Sequence, residues 1–357
     1  MKREAGFIPK DGWNAFLASL AKRFNLYVPC REGETILFQP YRAESVICLD
    51  RPAASAPKGV IFPQSETLFS FKLKKEAEDP RKVDVELKQE GPPQDTAIVA
   101  LRPCDARGFS ILDPVYMDVD PYYRSRREKT AIITLACPNP YPGCFCTSVE
   151  SSPADKSGSD VLVTELDNGY FLEAVTEKGR TILDDNAIQD GAGYKEEAEG
   201  RQKAAHDRVK KAFSGGKKVK ISQERLLSDE FWEETTAKCL SCGACTYLCP
   251  TCYCFNITDE QTVNRGERIR SWDSCMFPHF TLETSGHNPR TKKAQRFKQR
   301  VGHKFVYYPE QYGDLGCSGC GRCIRFCPIS MEISKVVAKL SEEGEGSTKD
   351  AAEGARS

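Results

Sequence analysis

Two uninterrupted apolar stretches stand out from an otherwise mixed pattern of hydrophobic and polar positions. Thr96-Ala97-Ile98-Val99-Ala100-Leu101 runs into Arg102-Pro103-Cys104-Asp105, and Lys129-Thr130-Ala131-Ile132-Ile133-Thr134-Leu135 runs into Ala136-Cys137-Pro138. Runs of this kind are those of strands buried on both faces. Residues 106–112 between them are predicted as a short helix and 120–127 as a polar connection, which makes a β–α–β unit with both Cys-bearing turns at one end of a sheet. Ahead of it, Trp13, Phe16, Leu17, Leu20 and Phe24 recur at helical spacing, predicting an amphipathic helix over 11–28 with Asp11 as its N-cap. Residues 35–39 and 45–49 are strand-like, 51–57 is a Pro/Ala/Ser-rich link and 58–64 is extended. Strand-like segments at 160–166 and 170–176 flank Asp167-Asn168-Gly169, a tight-hairpin signal, so the sheet is expected to be mixed.

The pattern changes after about residue 186. Gly191-Ala192-Gly193 and Ser214-Gly215-Gly216 break the chain on either side of a charged helical stretch, and 225–238 is predicted as a second helix. Beyond it the spacing of cysteines takes over. Cys239-Leu240-Ser241-Cys242-Gly243-Ala244-Cys245-Thr246-Tyr247-Leu248-Cys249-Pro250 returns in register as Cys317-Ser318-Gly319-Cys320-Gly321-Arg322-Cys323-Ile324-Arg325-Phe326-Cys327-Pro328. Each reads C-x2-C-x2-C-x3-C-P, in which closely spaced thiolates wrap a [4Fe–4S] cube and the fourth Cys reaches across to the other cube. The expected ligand sets are Cys239, Cys242, Cys245 and Cys327 for one cube, and Cys317, Cys320, Cys323 and Cys249 for the other. Cys249 and Cys317 lie 68 positions apart, and the intervening chain is read as helical, so the expectation is a helical dicluster domain with an insertion.

The remaining thiols leave alternatives open. If the two buried strands are neighbours, Cys104 and Cys137 converge with Cys144 and Cys146. Either these four hold a third [4Fe–4S] cluster, or they pack unliganded as small hydrophobes. Cys252, Cys254 and Cys275 either supply a further metal or redox site or pack around a cube, and packing is the default. The basic segment 287–300 is by default a solvated helix; alternatively it offsets the negative charge of thiolate-bound cubes or docks an acidic partner subunit. His206, His279, His287 and His303 are not needed as ligands, and 341–357 is expected to be a disordered tail.

Composition narrows the classes. Lys plus Arg and Asp plus Glu both total 51, which gives no overall field for nucleic acid or an anionic membrane. The 17 cysteines sit in ligand-like spacings rather than in a short secreted framework, and no apolar run approaches the length of a membrane span. The start, Met1-Lys2-Arg3-Glu4-Ala5-Gly6, does not read as an apolar signal segment, so a cytoplasmic protein is expected. G-x-G-x-x-G, Walker-type and H-E-x-x-H motifs do not occur, leaving nucleotide, flavin and hydrolytic zinc sites without support. The predicted class is α+β: an α/β mixed-sheet domain over 1–195, a helical connector over 196–235 and a helical dicluster ferredoxin-like domain over 236–340.

Taken together, Ile61-Phe62-Pro63-Gln64-Ser65-Glu66, Arg102-Pro103-Cys104-Asp105, Cys144-Phe145-Cys146, Cys249-Pro250-Thr251-Cys252-Tyr253-Cys254, Trp272-Asp273-Ser274-Cys275, Gly286-His287-Asn288-Pro289-Arg290 and the second cysteine run resemble the iron–sulfur beta subunits of sulfhydrogenases (hydrogenase/sulfur reductase), to which the A subunit of anaerobic sulfite reductase is similar. The resemblance implies an electron conduit in a cytoplasmic complex of anaerobes. It implies a flavoprotein subunit that exchanges electrons with a nicotinamide cofactor on one side. On the other it implies a catalytic subunit of hydrogenase, sulfite or sulfur reductase, or heterodisulfide-reductase type. Two further readings stand beside it: a self-sufficient reductase with its substrate site at the N-terminal thiols, and clusters with a purely structural role.

Overall fold

The structure, a computed structural model, describes residues 3–341 apart from 77, 80, 90, 92, 217 and 218. The tail expected to be disordered lies outside the described residues, except Ser341, which forms an isolated bridge with Ile221. The strands are β1 (Ala5–Pro9), β2 (Asn25–Glu32), β3 (Thr35–Pro40), β4 (Ser65–Lys75), β5 (Val83–Lys88), β6 (Thr96–Leu101), β7 (Thr130–Leu135), β8 (Val161–Glu165), β9 (Gly169–Ala174), β10 (Gln189–Asp190), β11 (Phe255–Gln261) and β12 (Arg265–Trp272). The first half carries helices α1 (Trp13–Leu20), α2 (Pro103–Tyr116), α3 (Pro121–Lys129), α4 (Glu177–Leu183) and α5 (Lys195–Asp207).

One sheet has the order β10-β1-β9-β8-β7-β6-β2-β3, with β2, β6, β7 and β8 parallel at its centre and antiparallel strands at both edges. Strands β6 and β7 are neighbours and entirely buried, as their unbroken apolar runs require. Their side chains alternate between two cores. Ala97, Val99, Ala131 and Ile133 meet α1 through Phe16, Leu17 and Leu20, while Ile98 and Ile132 face Phe62, Phe109, Tyr116 and Tyr123 on the other side. The mixed sheet and the β8–β9 hairpin are as the sequence predicts.

Five local expectations are corrected. Residues 45–49 contribute only an isolated bridge from Ile47 to Cys30, not a strand, and the stretch expected to be extended over 58–64 opens with a 3-10 turn at Pro57–Val60. The helix expected over 11–28 stops at Leu20, without an Asp11 side-chain cap, and β2 begins at Asn25, because Leu26, Val28 and Cys30 satisfy the sheet instead. The polar connection 120–127 is largely helix α3. Its charged surface hides the period, but Asp120 caps it by accepting from the N–H groups of Tyr122 and Tyr123 at 2.9 and 3.0 Å, and Pro121 fills the first turn. The insertion between the cysteine runs, expected to be helical, forms the antiparallel hairpin β11–β12, which joins β4 and β5 in a second sheet of order β11-β12-β4-β5. Its partner β4 lies some two hundred positions away, beyond the reach of any local pattern.

The second half packs α6 (Gln223–Leu227), α7 (Asp229–Thr236), α8 (Ala244–Tyr247), α9 (Lys293–Gly302), α10 (Tyr308–Tyr312), α11 (Arg322–Arg325) and α12 (Ile333–Leu340) around Trp232, Phe297, Val301, Phe305, Val337 and Leu340. Phe145 and Val149 from the first half enter this same core. The hairpin is a second tie. Arg270 on β12 is buried between Glu66 on β4, at 2.5 Å, and Asp120, while Arg126 reaches the same Glu66 at 2.6 Å. Trp272 donates its indole N–H to the Phe62 carbonyl at 3.1 Å.

Removing Glu66 would leave a buried guanidinium short of countercharge. Glu66→Ala is expected to cost about 3–5 kcal/mol, read as a lower midpoint in thermal or denaturant unfolding.

Candidate metal centres

The two cysteine runs fold alike. In each, the third residue has positive φ, Ser241 at 52° and Gly319 at 66°, and its N–H points back at the first thiol, Ser241 to Cys239 at 3.4 Å and Gly319 to Cys317 at 3.5 Å. The fifth residue, Gly243 or Gly321, is also left-handed and starts the one-turn helix α8 or α11 that carries Cys245 or Cys323. A Cβ at Gly321 would lie 2.6 Å from the Gly143 carbonyl oxygen, so glycine is required there by space as well as by φ. Pro250 and Pro328 follow the fourth cysteine of each run.

The runs exchange their last cysteines. Cys239, Cys242, Cys245 and Cys327 line one cavity, whose walls are Leu240, Met276, Phe297 and Ile333. Cys317, Cys320, Cys323 and Cys249 line a second, closed by Phe145 and Ile333. Cys323 and Arg300 border both. Burial pushes Cys245, Cys317, Cys320 and Cys323 up, Cys317 to about 11 and Cys323 to about 12, so deprotonation there needs a bound cation. Cys249 is the exception. The Cys252 thiol donates to it and holds it well below the usual thiol range against its burial, and Lys304, Arg300 and the Thr251 hydroxyl at 3.2 Å add to this.

The N-terminal thiols form a third group. Cys104 is the second residue of α2, Cys137 follows β7, and the loop through Tyr141 returns Cys144 and Cys146 beside them, so that all four line one cavity. The second cysteine run supplies its far wall: Cys320 borders this cavity as well as the second one. Phe145 N–H donates to the Gly319 carbonyl at 2.9 Å, and a Cβ at Gly319 would stand 2.5 Å from Cys146 Cα. Arg322, fully buried, binds Asp105 through both carboxylate oxygens and the Ala53 carbonyl, pinning the run to the start of α2. Burial raises Cys144 to about 11, Cys146 to about 12 and Cys104 well above its ordinary value.

Residues 238–331 match the family described as the 4Fe-4S dicluster domain. The chain is 31% identical to the sulfhydrogenase 2 subunit beta of Pyrococcus furiosus over 338 residues, spanning 92% of this chain and 95% of that protein. The chain belongs to the sulfhydrogenase beta-subunit family. It is an iron–sulfur, electron-transferring subunit of an oxidoreductase. No solved structure matches it. Among the described residues, no helix is long and apolar enough to cross a membrane.

The cavities of this beta-subunit chain fit iron–sulfur groups on their own chemistry. Each presents four soft thiols and adjoining positive charge. Arg300 Nε and Ser318 Oγ at the second cavity and Arg325 Nη1 at the third are buried with no hydrogen-bond partner, as groups facing an acceptor such as cluster sulfide would be. No group of three or more His, Cys, Asp or Glu side chains among the described residues is gathered tightly enough for a single metal ion.

Other sequence candidates stand apart. Cys252 bonds to Cys249, and Cys254 pairs with Cys275, outside all three cavities. His279 and His287 are exposed, and His303 meets the Tyr253 hydroxyl at 2.8 Å; burial, with Lys304 beside it, lowers His303 to about 4. The sequence reading left open that the basic segment 287–300 offsets thiolate charge, but it did not single out which cations turn inward. Arg296, Arg300 and Lys304 recur at i, i+4 and i+8 and all face inward: Arg300 donates to the Cys245 carbonyl at 2.9 Å, and Lys304 donates to Thr251 Oγ1 at 2.7 Å and to the Gly316 carbonyl at 2.8 Å. Burial works against the charge of Lys304, but Cys249, Cys252 and Cys317 hold it above the ordinary ammonium range. The four-residue spacing of Arg296, Arg300 and Lys304 was the available signal, obscured by the neighbouring lysines Lys292, Lys293 and Lys298. Lys58, also buried, donates to the Cys252 carbonyl at 2.7 Å and lies over Trp272.

Gly319→Ala is expected to cost about 1–3 kcal/mol from the left-handed backbone alone. The Cβ contact should also part the 143–146 loop from the second run, read as faster hydrogen exchange at the Phe145 amide. Gly193→Ala, where a Cβ meets nothing within 4 Å, should change neither.

Proposed function

We propose that this chain relays electrons through three [4Fe–4S] clusters in a row, held by Cys239, Cys242, Cys245 and Cys327, then by Cys249, Cys317, Cys320 and Cys323, then by Cys104, Cys137, Cys144 and Cys146. The observation that carries this reading is the sharing of walls: Cys323 and Arg300 border the first and second cavities, and Cys320 the second and third. When bound, a [4Fe–4S] cube changes its charge by one electron with little change in shape. The chain's own residues set the conditions for that change. The N–H groups of Ser241, Gly319 and Met331 point at ligand sulfurs, at 3.3–3.5 Å. Arg300 and Lys304 place fixed positive charge beside the first two sites, favouring the more reduced, more negative state. Phe145, Phe297 and Ile333 keep water from the middle of the row.

The row has two ends at the surface. At one, Cys242 is exposed and Leu240 and Phe326 offer apolar contact, 65% and 40% exposed. At the other, Cys137 also lines an open polar groove bordered by Lys10, Glu165, Asp167, Arg201 and Arg208. In this reading one end faces a flavoprotein subunit linked to FAD and NAD(P), and the other a catalytic subunit of hydrogenase, sulfur or sulfite reductase, or heterodisulfide-reductase type, in a cytoplasmic complex. The relative's name, a sulfhydrogenase subunit, supports that setting. No proton donor or nucleophile is required of this chain.

Anaerobically prepared protein is expected to hold about twelve irons, four for each of three cubes. Cys144→Ala with Cys146→Ala should lower this to about eight and remove one cube's EPR signal on reduction. A wild-type content near eight, or turnover by the isolated chain with a reduced dye, would refute the three-cluster relay. In Arg300→Met, loss of the shared cation should move the potentials of the first two cubes downward in an EPR-monitored titration and leave the third in place.

A further inference from the structure

The two cysteine runs fold alike but differ in charge. In the first run the one-turn helix α8 carries Ala244 and Tyr247; in register with them, α11 of the second run carries Arg322 and Arg325. Three positions apart on one turn, the two arginines share a face of the helix, and both line the cavity of Cys104, Cys137, Cys144 and Cys146. None of residues 239–249 lines that cavity, and the matching positions of the first run are uncharged. Three guanidiniums border the cavity, and two of them are already engaged. Arg102 donates to the carbonyls of Ala136, at 3.1 Å, and Leu49. Arg322 commits its donors to Asp105 and the Ala53 carbonyl. Arg325 differs: its Nη1 is buried without a hydrogen-bond partner, and among the described residues no carboxylate pairs with it. The group is nonetheless held in place. Its guanidinium carbon lies 4.8 Å from the centroid of the Tyr141 ring, which lines the same cavity, and 5.3 Å from that of Phe326. A buried charged donor fixed without an acceptor is costly, so its acceptor belongs in the cavity it borders.

We propose that Arg325 belongs to the third centre: its unpaired Nη1 N–H donates to the anionic group that Cys104, Cys137, Cys144 and Cys146 hold, and its charge sets the potential of that centre apart from the other two. The inference rests on the three-cluster reading and deepens it. One added electron makes the held group one unit more negative, and a fixed guanidinium beside it favours that state. Arg325 gives up and takes up no proton in the step. Because Arg325 borders neither of the other two cavities, its removal acts most on the third centre. The difference between the runs then has a physical cause. The second run serves its own two cysteine sets through Cys317, Cys320, Cys323 and Cys327, and through Arg322 and Arg325 it also serves the site built by the first half of the chain.

The test is a dithionite titration of the anaerobically purified, iron-loaded chain followed by EPR, with iron counted in every sample. The signal lost in Cys144→Ala with Cys146→Ala marks the third cube. In Arg325→Met that cube is expected to keep its iron but to be reduced about tenfold less readily, a fall of about 59 mV in its midpoint, with the first two cubes moving by less than half as much. Arg325→Lys keeps the charge and should recover at least half of the loss, which a residue that only fills space would not show. Tyr141→Leu removes the ring on which the guanidinium rests and should lower the same midpoint by less. The proposal is overturned if the third midpoint in Arg325→Met equals that of wild type, if all three midpoints fall together, or if Arg325→Lys behaves as Arg325→Met does. Should Arg325→Met fail to hold iron, the Tyr141→Leu midpoint decides, and an unmoved value there overturns the proposal. A wild-type count of about eight irons overturns the three-cluster reading and this inference with it, whereas about twelve irons with an unmoved midpoint overturns this inference alone.

Discussion

Gathering thiolates inside a protein requires positive charge inside it too, and that requirement governs how the second half of this chain is built. Helix α9 and the π-turn His303–Tyr307 that follows it carry Phe297, Val301 and Phe305 into the core while bringing Arg300 and Lys304 to the thiols. A buried cation without countercharge costs several kcal/mol. Lys304 has only a hydroxyl and a carbonyl as hydrogen-bond partners, and the nearest negative groups are thiols. The cations are therefore at home only when the thiols beside them are deprotonated, which is the state metal binding enforces. On the proposed reading, loading and folding would be one equilibrium in this region.

The two halves of the chain are interleaved rather than merely joined. Residues 255–272 complete a sheet begun by residues 65–88, and Phe145 and Val149 fill the core of the second half. Arg322 reaches from the second cysteine run to Asp105 at the start of α2. The stretch 196–235, expected to be a connector, packs Ala198 against Phe7, Leu166 and Phe171 of the first half and Trp232 into the core of the second.

Sequence legibility followed the range of the interactions. The buried strands, the β8–β9 hairpin and the double cysteine register are local patterns, and they were readable from side-chain periodicity and spacing. The convergence of Cys104, Cys137, Cys144 and Cys146 on one cavity was conditional on β6 and β7 being neighbours, which they are. What escaped depends on distant partners. Residues 255–272 have no β4 beside them in the sequence, and α3 buries only Tyr123, too little apolar surface to mark a helix by period. The basic segment looked like a solvated face because its inward arginines are interspersed with outward lysines.

The contact between Gly319 and the Cys144–Cys146 loop sets an order in time as well as in space. Cys144 and Cys320 meet across 176 positions of sequence. At ordinary rates of synthesis the ribosome makes the second of them on the order of ten seconds or more after the first. During that interval the N-terminal thiols have emerged, but the wall formed by Gly319, Cys320, Arg322 and Arg325 does not yet exist. The cavity at this end is therefore finished only after the C-terminal run has been made and folded, so on the proposed three-cluster reading its iron would arrive after translation, to a chain whose last segment has already closed over its first.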